Sequence, residues 1–121
     1  MLSILFDKAI YSHRKLLAQV KQAAMHDVGG MSDIHFMGAN ECEFGQWIVA
    51  ESAQDILGAE RVSSLMRTHQ HFHDMAKHCL ESIESGDAGI VPARIEALDD
   101  ASASFIRDLV ITRFAIYNPK A

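Results

Sequence analysis

The chain has 121 residues, of which 49% are hydrophobic and 22% charged, and its net charge is −5. This is the length of one domain, with a core that needs no disulfides, so residues 1–121 are expected to form a single unit. The composition excludes a mostly disordered chain, and 16 acidic against 11 basic residues argue against a nucleic-acid surface.

The first helix is predicted over residues 2–25. Leu2, Leu5, Phe6, Ala9, Ile10, Leu16, Leu17, Val20 and Ala24 recur at three- and four-residue steps and trace one face. His13 stands in that stripe where the period calls for an aliphatic residue. The segment lacks the basic flank and cleavage site of a signal peptide, and no apolar run in the chain approaches the ~20 residues that cross a bilayer. A cytoplasmic protein without membrane attachment is therefore expected.

A loop is predicted over residues 27–39. A short second helix follows, with Asn40 as its N-cap, Glu43 completing a capping box, and Cys42 in its first turn. Phe44, Trp47 and Ile48 give it apolar surface, and Trp47 reads as its packing anchor. The period leaves its end open between residues 50 and 57. The third helix is predicted over residues 60–84, with Val62, Leu65 or Met66, His69, His73, Ala76, Leu80 and Ile83 along one face, and it breaks at the glycines of residues 86–89. The fourth covers residues 92–117 and stops at Asn118-Pro119. Its seam is Ile95, Leu98, Ser102, Phe105, Leu109, Thr112 and Ile116. With no β pattern, the expected fold is all-α, an antiparallel four-helix bundle with a short second helix and a metal site inside it.

Seven residues are histidine, and His13, His69 and His73 fall on apolar stripes. Taken singly, each is most simply a core histidine bonded to backbone. His69 and His73, however, are four apart on one helical face, a spacing that lets two imidazoles grip one ion. Cys42 offers a soft thiolate at a helix start, where free N–H groups favour its ionisation. Its plain reading is a small buried hydrophobe. Three histidines and one cysteine make a complete tetrahedral set for Zn²⁺. A carboxylate would suit the outer side of such a site, hydrogen-bonded to a ligand imidazole.

These residues resemble the chemoreceptor zinc-binding domain family. The pattern is an early helical His, here His13, then Cys-x-x-Gly-x-Trp, here Cys42-Glu43-Phe44-Gly45-Gln46-Trp47, then His-x-x-x-His, here His69 to His73 with Phe72 before the second histidine. The similarity spans nearly the whole chain, Ser102 included. It departs from the pattern at Ser12, Leu16 and Thr68, where the family usually has Asp, Trp and Pro. The resemblance implies a zinc ion held by His13, Cys42, His69 and His73. It also implies a homodimer, an output through a chemoreceptor or a diguanylate cyclase, and a cysteine ligand that responds to zinc or to an oxidant.

Two other readings stay open. One is a permanent zinc staple in an interaction module. The other is a hemerythrin-like di-iron or oxygen-binding protein, which would need bridging carboxylates and Glu-x-x-His patterns, whereas no Glu lies three residues before His13, His69 or His73. Catalysis is not expected, because four protein ligands leave zinc no open position. His71 and His78 read as a solvated outer face, Cys79 as half-buried packing, Met66 and Met75 as core filler, and Asp99-Asp100 as a solvated pair. His26 and His35 fall in or beside the long loop.

Overall fold

The structure is a computed structural model that describes residues 2–26 and 42–117. Among these residues there are five helices and no strand: α1 (Leu2–His26), α2 (Glu43–Ile48), α3 (Glu51–Leu57), α4 (Ala59–Glu84) and α5 (Val91–Tyr117). The expected loop over residues 27–39, with His35 in it, and the expected stop at Asn118-Pro119 lie outside the described residues.

The long helices follow their periods. On α1 the buried residues are Phe6, Ala9, His13, Val20 and Ala23. On α5 Leu98, Ser102, Phe105, Leu109 and Thr112 are buried, as the seam requires. α4 packs most extensively on α5, and α1 lies against both. Asp7 pairs with Arg113, and Lys21 Nζ lies 2.6 Å from Asp99 Oδ1, so α1 and α5 run in opposite directions. In the N-terminal part of α4, Ser64 and Thr68 donate their hydroxyls to one oxygen of Asp108 on α5, at 2.9 and 3.1 Å.

The second helix departs from expectation in two ways. Its N-cap is Cys42 rather than Asn40, because Cys42 is extended (φ −79°, ψ 155°) and its Sγ accepts the Gly45 N–H. The helical stretch is also divided in two, so there are five helices where four were expected. The cause is the phase of its apolar residues. Phe44 and Ile48 are buried on α2, and Ala53 and Leu57 are buried on α3. In one unbroken helix the second pair would point nearly opposite to the first. The extended backbone at Ala50 (φ −74°, ψ 148°) restarts the helix with Ala53 and Leu57 turned inward.

Two glycines punctuate the chain at positive φ. Gly58 (φ 86°, ψ 154°) ends α3 and starts α4 in a backbone region almost closed to other residues. Gly86 (φ 77°) ends α4. Its N–H bonds to the Ile83 carbonyl and the Asp87 N–H to that of Ser82, a Schellman closure that satisfies the last carbonyls.

Some side chains sit elsewhere than expected. Cys79 is fully buried rather than half-buried. Met66 is exposed while Leu65 takes the core position, and Met75 does pack against the core. Asp99 is ion-paired across to α1, and Asp100 is exposed. His71 is exposed, as an outer face requires, whereas His78 is half-buried with its Nδ1 shut off from solvent.

Candidate metal centre

The four candidate ligands come from two helices and the N-cap of a third. α1 supplies His13, the N-cap of α2 supplies Cys42, and α4 supplies His69 and His73 from successive turns of one face. All four are buried, and one ligand atom from each lies within 4.8 Å of every other. The three Nε2 atoms form a near-equilateral triangle. His13 to His73 is 3.2 Å, His13 to His69 is 3.2 Å, and His69 to His73 is 3.1 Å. Cys42 Sγ completes the figure, 3.1 Å from His69 Nε2 and 3.9 Å from His13 Nε2.

These edges match a tetrahedral ion. Bond lengths of about 2.0–2.1 Å to nitrogen and about 2.3 Å to sulfur give edges of about 3.3 Å between nitrogens and about 3.6 Å from sulfur to nitrogen. The observed nitrogen edges fall just below the first value, and the two sulfur edges bracket the second. The buried His₃Cys group therefore fits a zinc site.

The protonation states agree with that fit. His13 Nδ1 lies 2.7 Å from the Ala9 carbonyl oxygen, one turn back on α1, and donates to it. Its proton is thereby placed on Nδ1, and Nε2 turns a lone pair into the centre. For His13 the orienting partner is a backbone carbonyl and not a carboxylate. Ser12 Oγ is 3.2 Å from the same ring nitrogen and itself donates to the Ala9 carbonyl. Burial, the largest cause, lowers the His13 pKa from 6.5 to about 4, with His73 adding to the effect and the Ala9 bond opposing it. Burial lowers His69 from 6.5 to about 3, reinforced by the two neighbouring histidines. Both are neutral at pH 7, the form that binds metals.

At Cys42, burial pushes the thiol pKa up, and this outweighs the N–H groups of Gly45 and Phe44, which pull it down. The expected lowering at the helix start is present but is not the larger effect. The Gly45 N–H lies 3.3 Å from Sγ, so the cap and the candidate ligand are the same atom.

Aromatic rings close the centre off. Phe105 lies edge-on to His13 at 4.9 Å and tilted to His69 at 5.0 Å. Phe44 meets His69 at 5.1 Å, and Phe72 meets His13 at 5.3 Å. Trp47 stands edge-on to Phe6 at 5.9 Å and fastens α2 to α1, as an anchor should. Phe105 escaped notice as part of the site because α5 offers no ligand; its signal was its place in the middle of the α5 seam. Ser102, Cys79, His71 and His78 are not among the converging ligands. Comparison of the chain with protein-family models, with curated proteins and with solved structures finds no match.

Proposed function

We propose that this chain is a zinc-binding regulatory domain, built as an antiparallel helical bundle and similar to the chemoreceptor zinc-binding domains. The observation that carries the reading is the convergence of His13, Cys42, His69 and His73 at tetrahedral edge lengths in a buried pocket. In this reading zinc ties α1, α2 and α4 together and adds stability in proportion to its binding. The four protein donors close the coordination shell, so the role is regulation rather than catalysis.

The ligands are unequally held. His69 and His73 sit within a helix of 26 residues, and His13 within one of 25. Cys42 caps a helix of six. It is therefore the ligand that moves when zinc leaves or when an oxidant takes the thiolate. The signal would pass to a chemoreceptor or diguanylate cyclase, in trans or within a longer parent, from a cytoplasmic homodimer. A permanent staple is the second reading, supported by the same complete and buried donor set. Release rate separates the two, because a sensor must exchange its zinc and a staple need not.

Elemental analysis of the purified chain beside the His69→Ala, His73→Ala double variant tests the core of the reading. We expect one zinc per chain, lost in the variant. Two irons per chain, or no metal after reconstitution with zinc, would refute it.

A further inference from the structure

A cavity of about 370 Å³ opens between α1 and the start of α2. His13 and Cys42 line it, whereas His69 and His73 do not. Ala9 and Phe44 form part of its wall, and Lys8 and Glu43, both exposed, stand at its mouth. Behind the centre the arrangement is the reverse. His69 is shut in by the Phe44 and Phe105 rings, and His73 meets Phe72 edge-on at 5.6 Å. Among the described residues the His13–Cys42 edge of the centre thus faces a space of small-ligand size.

This matters because a closed shell of four protein ligands gives up its ion slowly unless an incoming ligand replaces a departing one. The incoming group must reach the ion along an edge that protein does not fill. We propose that this cavity is the passage through which zinc exchanges with small thiol-bearing molecules, which meet the His13–Cys42 edge first. The proposal rests on the zinc-binding reading and adds a route to it. In the exchange step the bond from zinc to Cys42 Sγ breaks as a bond from zinc to the incoming sulfur forms. The proton lost by the incoming thiol ends on the Cys42 thiolate, so charge and protons balance and nothing is oxidised. The ammonium of Lys8 and the carboxylate of Glu43 leave the mouth near neutral overall, so neither the cation nor an anionic thiol meets a net charge barrier.

The test uses the full zinc-loaded chain, with transfer to excess pyridylazoresorcinol followed by absorbance, with and without free cysteine as the probe thiol. Lys8→Trp fills the mouth from an exposed position, and Leu5→Trp fills it from the half-buried position one turn earlier on α1. Ala103→Trp adds the same bulk on the exposed face of α5. Equilibrium zinc affinity is measured in parallel. We expect at least one mouth variant to keep wild-type affinity and to lose the cysteine-driven rate by about tenfold, with the α5 variant unchanged. Wild-type rates in both mouth variants, or slowing matched by a corresponding gain in affinity, would overturn the route. A wild-type chain that binds no zinc would overturn the zinc reading itself, and that result shows in the equilibrium measurement before any rate is taken.

Discussion

Acid should destabilise the metal-free chain well above the pH at which its buried histidines protonate in place. Folding holds His13 at about 4 and His69 at about 3, both below the ordinary 6.5 that the unfolded chain restores. Between these limits the unfolded chain binds protons that the folded chain refuses, and protons therefore favour unfolding. The stabilising contribution is complete above pH 6.5. It declines as the pH falls and levels off near 4 for His13 and near 3 for His69. At about 1.4 kcal/mol per pH unit, acidification from 6.5 to 5 removes about 2 kcal/mol for each histidine, or about 4 kcal/mol for the two. A domain of this size has roughly 5–15 kcal/mol in total, so the loss is a large fraction of it. Urea unfolding at pH 7.5 and pH 5, in the presence of a chelator and followed by circular dichroism, measures the difference through the midpoint at constant slope. His13→Leu restores the aliphatic residue that the period of α1 calls for and should remove its share of the pH dependence. A midpoint that does not move between the two pH values would refute the reasoning, since it would mean that these rings are solvated or already charged in the folded chain.

Cys42→Ala should weaken zinc binding and leave the helical circular dichroism in place; complete unfolding would show instead that the metal is a staple without which the fold fails. Phe105→Ala empties the space against His13, His69 and Phe44, and should cost about 3–5 kcal/mol in urea unfolding while loosening zinc in the same preparation. A loss below about 1 kcal/mol would mean that the ring does not fill the centre. Gly86→Ala forces a side chain to φ 77° and should cost about 1–2 kcal/mol without changing zinc affinity, read by thermal unfolding and zinc titration of the same variant.

The three candidate histidine ligands were legible in the sequence because they inherit the period of the helices that carry them. A histidine at the place of a leucine on an apolar stripe is buried by that stripe, and a pair four apart points one way. His13, His69 and His73 could be placed inside for this reason alone, whereas Cys42 was named for the softness of its thiolate and for the resemblance of the Cys-x-x-Gly-x-Trp stretch, and by no period. The same logic exposed the α5 seam, where five of the six buried residues, all but Ala101, are named from spacing. The break at residues 49–50 was present in the pattern too, as the five-residue step from Ile48 to Ala53 that no single helical face accommodates.

What escaped was set by contacts between elements or by backbone atoms. The Ala9 carbonyl that orients His13 belongs to a residue whose side chain carries no signal, and a carboxylate was the expected partner only because charges are visible in a sequence and carbonyls are not. The N-cap at Cys42 was missed because asparagine is the stronger capping residue by type. Here the thiol sulfur accepts the Gly45 N–H from within the buried centre, which places the start of the helix at the ligand itself. This couples the two roles of one atom. A change in the bonding of that sulfur is also a change in the cap of a six-residue helix, and α2 packs on both α1 and α4. A helix so short has little stability of its own beyond its packing and its cap. The place where a chemical event at the centre would most readily become a shift in structure is therefore α2, and Phe44 and Trp47, which bind it to His69 and Phe6, are the contacts through which the shift would be felt.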